Sequence, residues 1–168
     1  MSTITRENTC CFTGHRPEKL PWGHNETDAR CAALKARIAD ALDILYARGY
    51  RHFISGMALG ADTYFCEAAL SLRDRRDGVT VEAAIPFEGQ ASRWSPLSRE
   101  RYERLCAACD IRTVLSGSYT KWCMHERNRY MVDSSSLLLA VFDGSTGGTK
   151  YTVDYALKRG LEVVAFGY

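Results

Sequence analysis

Three glycine-rich turns, each at the end of a strand-like run, restrict what this chain can fold into more than any other feature. Thr13-Gly14-His15-Arg16-Pro17 follows Thr9-Cys10-Cys11-Phe12. Ser55-Gly56-Met57-Ala58-Leu59-Gly60-Ala61-Asp62 follows Arg51-His52-Phe53-Ile54, and Asp143-Gly144-Ser145-Thr146-Gly147-Gly148-Thr149 follows residues 137–142. Glycine lets backbone approach a ligand closely and tolerates positive φ. A turn that opens a helix also offers unpaired N–H groups and a partial positive charge to an anion. Three such turns at the carboxyl ends of parallel strands would line one crevice, the place where open α/β sheets bind ligands.

Strand-like and helix-like segments alternate along the whole chain. Strands are expected at 9–13, 51–55, 79–85, 111–115, 137–142 and 162–166. Leu34, Ile38, Leu42 and Leu45 recur at helical spacing within 25–48, and Gly49 supplies a stop. Further helices are expected at 61–73, from a cap at Ser98 to 109, at 121–133 and at 148–159. The six apolar residues 137–142 suit a central strand buried on both faces. Strands separated by helices imply right-handed crossovers. The fold class is therefore α/β: one Rossmann-like three-layer domain over 1–168, a mainly parallel sheet of about six strands with helices on both faces.

Bulk properties narrow the function. A net charge of +2 is too small to argue for nucleic acid, and Arg73, Arg75 and Arg76 are interrupted by Asp74 and Asp77. Seven cysteines are an odd count, and Cys10, Cys11 and Cys66 sit in apolar runs where cysteine acts as a small hydrophobe. No apolar leader precedes residue 20 and no run is long enough for a membrane span, so a cytoplasmic chain with reduced thiols and no membrane partner is expected. Cys106 and Cys109 have CxxC spacing without a second pair, and His24, His52 and His125 are dispersed. No metal site is expected.

The segment from Ser55 to Asp62 resembles the S-G-x-A-x-G-x-D signature of the SLOG superfamily, a Rossmann-like group shared by DprA-type and LOG-type proteins. Gly14-His15-Arg16-Pro17, Arg127-Asn128, Gly147-Gly148-Thr149 and the spacing of Pro86, Gln90 and Trp94 resemble its YspA-type branch. The likeness covers about residues 9–166. It implies a bound nucleotide-derived ligand such as a mononucleotide, ADP-ribose or a dinucleotide. It also implies self-association as a dimer, and it names no protein partner.

The candidate ligand-binding residues are Gly14, His15, Arg16, Ser55, Gly56, Gly60, Ala61, Asp62, Arg127, Asn128, Asp143, Gly147, Gly148 and Thr149. Arg16 offers a planar fork for an anion on a loop stiffened by Pro17. Asp62 either caps its helix or accepts hydrogen bonds from a ribose or base, and the two roles are compatible. Met124-His125-Glu126-Arg127-Asn128 resembles the M-H-E-R-K segment of LOG-type hydrolases, which gives Arg127 a nucleotide-positioning role by resemblance.

One departure weighs against hydrolysis. Aligning the family's G-T pair on Gly148-Thr149 puts Thr152 where the catalytic glutamate belongs, and threonine cannot act as that carboxylate. No catalytic residue is identified. In an enzyme Asp62, Asp143 or Glu126 would have to replace that glutamate, with Asp143 at the mouth of its strand the most credible, whereas Asp154 suits a surface or capping role. The ordinary G-x-G-x-x-G fingerprint with a following ribose-binding acid is absent, which argues against a standard dehydrogenase. The sequence thus favours a nucleotide-ligand binder or sensor, with a LOG-like phosphoribohydrolase as the alternative and a DprA-like single-strand binder last. Trp22, Trp94 and Trp122 are each either a base-stacking platform or packed aromatics at the domain edge.

Overall fold

The structure is a computed structural model, and it describes residues 2–168. Six strands and five α-helices alternate: β1 (Thr9–Gly14), α1 (Ala29–Ala47), β2 (His52–Ser55), α2 (Ala61–Arg75), β3 (Thr80–Ile85), α3 (Pro96–Ala108), β4 (Ile111–Val114), α4 (Cys123–Asp133), β5 (Leu137–Val141), α5 (Gly148–Lys158) and β6 (Glu162–Phe166). A 3-10 turn, Pro17–Lys19, follows β1. The strands form one sheet in the order β4-β3-β2-β1-β5-β6, and every neighbouring pair is parallel.

Each face of the sheet buries its own set of side chains, because successive strand residues point to opposite sides. Cys10, Phe12, Phe53, Val81, Ala83, Leu137 and Leu139 pack with Leu34, Ile38 and Leu42 of α1 and Phe65 and Leu72 of α2. Cys11, Ile54, Ala84, Leu138 and Ala140 pack with Met131 and Val132 of α4 and Val153 and Ala156 of α5. Phe12 stacks on Phe65 with centroids 4.6 Å apart, tying the central strand to α2. The fully buried run Leu137–Val141 is covered on both faces, as its unbroken apolar pattern requires.

Caps set the helix starts. Asp28 accepts a hydrogen bond from Arg30 N (2.8 Å), so α1 begins later than the periodicity alone suggests. α3 is capped by Ser95, whose Oγ accepts from Ser98 N at 3.3 Å, with Pro96 at the first helical position. The expected cap at Ser98 is therefore corrected by one turn. α2 and α5 start at Gly60 and Gly147, which have no side chain with which to cap them.

Candidate functional site

The strand order reverses between β1 and β5. The chain steps outward from β1 to β4, then α4 carries it back to the other side of β1, so the two crossover directions diverge at that point. Loops leaving β1 and β5 separate to opposite faces there and leave a crevice at the carboxyl ends of the strands. The crevice encloses about 280 Å³. Its walls are Phe12 to Arg16, Glu18 and Lys19 from the first loop, and Ala58 and Asp62 from the second. Met124, His125, Arg127, Asn128 and Met131 of α4 and Gly147, Gly148 and Thr149 at the start of α5 complete it.

The glycines do three different jobs here. A Cβ on Gly14 would stand 2.6 Å from Ala61 Cβ, so this glycine allows β1 to touch the start of α2. Gly60 has φ +87°, and a Cβ there would meet His15 O at 2.7 Å. Ala61 N also donates to His15 O at 3.1 Å, so the first N–H of α2 serves the neighbouring loop rather than an external anion. Gly56 leaves room for Arg127: a Cβ would lie 2.8 Å from Nη1. At α5 the arrangement differs. Gly147 has φ +143° and Gly148 has open space around it, so this uncapped helix start faces the crevice with its N–H dipoles.

Arg127 is a buried cation, only 4% exposed. Its Nη1 donates to Gly56 O, its Nε to Asn128 Oδ1 at 2.8 Å, and Nη2 lies 4.0 Å from Met124 Sδ. Asp62, 6% exposed, supplies the opposing charge and accepts from Ala58 N at 3.2 Å. Burial pushes the Asp62 carboxyl up to about 6, against the pull of Arg127, the Ala58 N–H and Arg16. Burial likewise lowers Arg127 from the usual guanidinium range, with Asp62 opposing. A carboxyl that titrates near neutrality beside a buried guanidinium in a cleft is the pattern expected of a functional site.

The first and third loops are tied together across the crevice. Lys19 Nζ donates to Thr146 O at 2.5 Å and Ser145 Oγ at 3.1 Å. His15 Nδ1 meets Tyr168 Oη at 2.8 Å; that hydroxyl donates its proton to Lys19 O at 2.9 Å, so Nδ1 is the donor to it. The other ring nitrogen, Nε2, is buried without a hydrogen bond and stands 3.7 Å from Asp143 Oδ1. Burial lowers the His15 pKa, partly countered by Asp143. The His125 ring lies 4.3 Å from Tyr151 and 6.1 Å from the half-exposed Trp122, and its Nδ1 is also buried and unpartnered.

Of the residues singled out by sequence, Gly14, His15, Arg16, Asp62, Arg127, Asn128, Gly147, Gly148 and Thr149 line the crevice. Ser55, Gly56, Gly60 and Ala61 are not among its walls, and neither is Asp143, which is exposed on the β5–α5 loop. Ser55 Oγ donates to Asp62 O at 3.0 Å and accepts from Met57 N at 3.2 Å, which shapes the loop. Asp143 accepts from Ser145 N at 2.8 Å. Thr152 is fully buried and donates to Gly148 O at 2.9 Å, so this position faces its own helix. Asp154 is paired with Lys150 on the surface, and Glu126 is exposed. Glu18, Lys19, Met124 and His125 also line the crevice without having been chosen as ligand residues. His125 and Met124 lay inside the quoted arginine segment, whereas nothing in the sequence shows Lys19 reaching over to Thr146.

Trp22 is buried and donates to Tyr64 Oη at 3.2 Å. Trp94 packs on Tyr102 beside a separate hollow of about 40 Å³, on the other side of the β2–α2 loop. Gln90 supports that loop through Nε2 to Met57 O at 3.4 Å. Among the described residues no cluster of three or more metal-ligating side chains exists, and no helix is long and apolar enough to cross a membrane.

Sheet order, switch point and crevice define a Rossmann-like α/β protein with its candidate site between β1 and β5. The model of the YspA SLOG family matches residues 10–163, and the chain belongs to that family. It is 28% identical over 138 residues to the uncharacterized SPbeta prophage-derived protein YoqJ of Bacillus subtilis (strain 168), covering 74% of this chain and 81% of that protein. It is 25% identical over 151 residues to the UPF0398 protein YpsA of the same organism, covering 88% and 83%. Among solved structures it is similar to DNA processing protein A (DprA) from Streptococcus pneumoniae, with TM-score 0.63 and 18% identity over 94% of this chain and 49% of that one. The structural-genomics target TM1055 matches with TM-score 0.58 and 13% identity over 93% and 72%. At these identities the structural likeness concerns the fold.

Proposed function

We propose that this protein binds a nucleotide-derived small molecule in the crevice between β1 and β5. One observation carries the reading: Arg16, Lys19 and Arg127 converge with the uncapped start of α5 on a single cleft. Phosphate oxygens sit at the N–H groups of Gly148 and Thr149, where the helix dipole and Lys19 both favour negative charge. Arg16 is the exposed fork that completes the anion's coordination. Arg127 is held from behind by Gly56 and Asn128 and contributes fixed positive charge. The ring of His125, between Tyr151 and Trp122, is an aromatic wall suited to a base. The volume of about 280 Å³ suits a mononucleotide-sized part of the ligand, with any second half extending outward.

The test is thermal unfolding against AMP, ADP, ADP-ribose, NAD, cyclic dinucleotides and single-stranded DNA. A ligand at 100 times its Kd adds roughly 2.7 kcal/mol, or several degrees in a chain of this size. The shift should shrink in Arg16→Ala and Lys19→Ala, which remove half-free cations without emptying the core. A panel in which no nucleotide raises the midpoint would sink the proposal.

A second reading is favoured by one observation, the Asp62 carboxyl near pH 6 beside Arg127. In it, protonated Asp62 donates its proton to the base nitrogen as the N-glycosidic bond breaks, while a water oxygen bonds to the anomeric carbon and its proton returns to the Asp62 carboxylate. Concentrated protein would then release free base from a bound nucleotide, and Asp62→Asn would stop the release while retaining binding. Intact nucleotide after prolonged incubation leaves the binder alone.

A further inference from the structure

We propose that Cys66 and Cys109 form a reversible disulfide site, oxidised by a hydroperoxide, that staples α2 to the end of α3. The two sulfurs lie 3.8 Å apart although 43 positions separate them in sequence. Cys66 sits in the core, fully buried on α2, whereas Cys109 is partly exposed at the C-terminal cap of α3. A solution oxidant therefore reaches Cys109 first, with Cys66 waiting directly behind it. The CxxC spacing suggests Cys106 as the partner of Cys109, but the short contact is with Cys66.

The surroundings suit this division of labour. A hydrogen bond from Cys66 holds the Cys109 thiol below the ordinary range, and the same pairing with burial pushes Cys66 up. Burial pushes Cys106 up to about 11. The Arg73 guanidinium is held next to Cys109, donating to Ala108 O at 2.7 Å and Asp110 Oδ2 at 3.1 Å. A thiolate near a cation is the nucleophilic form of cysteine.

The chemistry closes without another reactant. The Cys109 thiolate attacks one oxygen of the peroxide; an S–O bond forms, the O–O bond breaks, and hydroxide leaves to take up a proton as water. The Cys66 sulfur then attacks the Cys109 sulfur. The S–S bond forms, the S–O bond breaks, and the departing hydroxide takes the Cys66 proton as a second water. Two thiols lose two electrons to the peroxide. The sulfurs must approach by about 1.8 Å to reach disulfide length. Cys109 N still donates to Leu105 O at 3.1 Å, but from there the chain turns into extended backbone (φ −65°, ψ 149°), so the approach is made by the side-chain torsions and the chain that follows the helix. The bridge closes a long loop containing β3 and α3, and so restricts the unfolded chain.

The experiment treats the full chain with hydrogen peroxide, then maps thiols by non-reducing digestion and mass spectrometry. The expected product is two hydrogen masses lighter, carries a 66–109 cross-link, melts roughly 5–10 °C higher, and reverts with dithiothreitol. Cys106→Ala should keep this cross-link. Cys66→Ala should instead leave a sulfenic acid on Cys109 that dimedone traps. If Cys66→Ala proves poorly folded, Cys106→Ala and the wild-type map still decide. A 106–109 bridge, direct over-oxidation of Cys109 without a cross-link, or thiols untouched by peroxide would each overturn the proposal. None of these outcomes depends on what the crevice binds.

Discussion

Asp62 and Gly56 are the two positions where a single atom decides what the crevice can do. Asp62 rises in the folded state from 3.8 to about 6 because burial disfavours its charge. Between those values the folded chain holds a proton that the unfolded chain has lost, so this group's contribution to stability falls as pH rises from about 4 to about 6. The full effect is on the order of 3 kcal/mol. The expected result is that the difference in unfolding free energy between wild type and Asp62→Asn changes across that window and is flat above pH 7. A pH-independent difference would mean that Asp62 is ionised throughout. The same proton changes anion binding: with Asp62 neutral, Arg16 and Arg127 are no longer offset. ADP-ribose should therefore bind roughly three- to tenfold more tightly at pH 5.5 than at pH 7.5. His15 protonates in the same direction and Asp143 faces it, so the part of the gain that survives in Asp62→Asn belongs to His15. Gly56 is read differently from sequence and from structure. As part of a glycine turn it suggests backbone N–H groups facing phosphate, but its missing Cβ makes space for the Arg127 guanidinium. Gly56→Ala should cost roughly 1–3 kcal/mol in denaturant unfolding and weaken nucleotide binding by moving Arg127. A variant with unchanged stability and affinity would contradict that role.

At the scale of elements, α4 has to be held in register with the sheet for Arg127 to reach Gly56, and a buried polar cluster does the holding. Glu82 on β3 is 4% exposed and accepts from His52 Nε2 of β2 (2.7 Å), Tyr130 Oη of α4 (2.5 Å) and Thr113 Oγ1 of β4 (2.8 Å). Burial alone would raise its carboxyl, but the donors from His52, Tyr130 and Thr113 outweigh that and hold it below the ordinary value. Its linkage has the opposite sign to that of Asp62: the stabilisation is present above the unfolded pKa and is lost as pH falls through the folded one. Tyr130→Phe should lower stability by about 1–3 kcal/mol at pH 7. It should also reduce nucleotide affinity without touching the crevice, since it frees the helix that carries Arg127. Loss of stability with unchanged affinity would separate α4 anchoring from the site. This cluster was not legible in the sequence. Glu82 and His52 sit in strand-like runs where a polar residue reads as solvent-facing, and only the strand order puts β2, β3 and β4 side by side. The elements themselves were legible, because periodicity marks α1 and an unbroken apolar run marks β5. Helix starts were less so: Ser95 and Ser98 are both competent caps, and Pro96 at the first helical position favours the earlier one.

For the whole molecule, what matters is that segments far apart in sequence meet at one switch point. Residues 13–17, 55–62 and 143–149 were recognisable as ligand-type turns and 124–128 as a helical arginine segment, yet their convergence follows from the order β4-β3-β2-β1-β5-β6, which no single segment encodes. That order also moved Gln90 and Trp94 away from the crevice. Trp94 lies with Tyr102 and Met57 around the smaller hollow, on the far side of the β2–α2 loop, and Gln90 donates to Met57 O from outside it. Lys19 was invisible for the same reason: its partners Ser145 and Thr146 are 126 and 127 positions away. Convergence predicts a distinctive footprint in hydrogen exchange. A nucleotide seated between β1 and β5 should slow exchange in all four segments together, because each supplies a wall of one cavity. The β5–α5 loop should respond most, since its residues from Asp143 to Gly148 are exposed and Lys19 ties it from across the cleft. In Lys19→Ala the ligand-free loop should exchange faster, while protection in β1 and β5, buried at the centre of the sheet, stays unchanged. Protection confined to residues 23–26 and 94–105 would instead locate the ligand at the smaller hollow. That result would show that the three glycine turns serve to pack the loops against one another, a task Gly14 and Gly60 already perform.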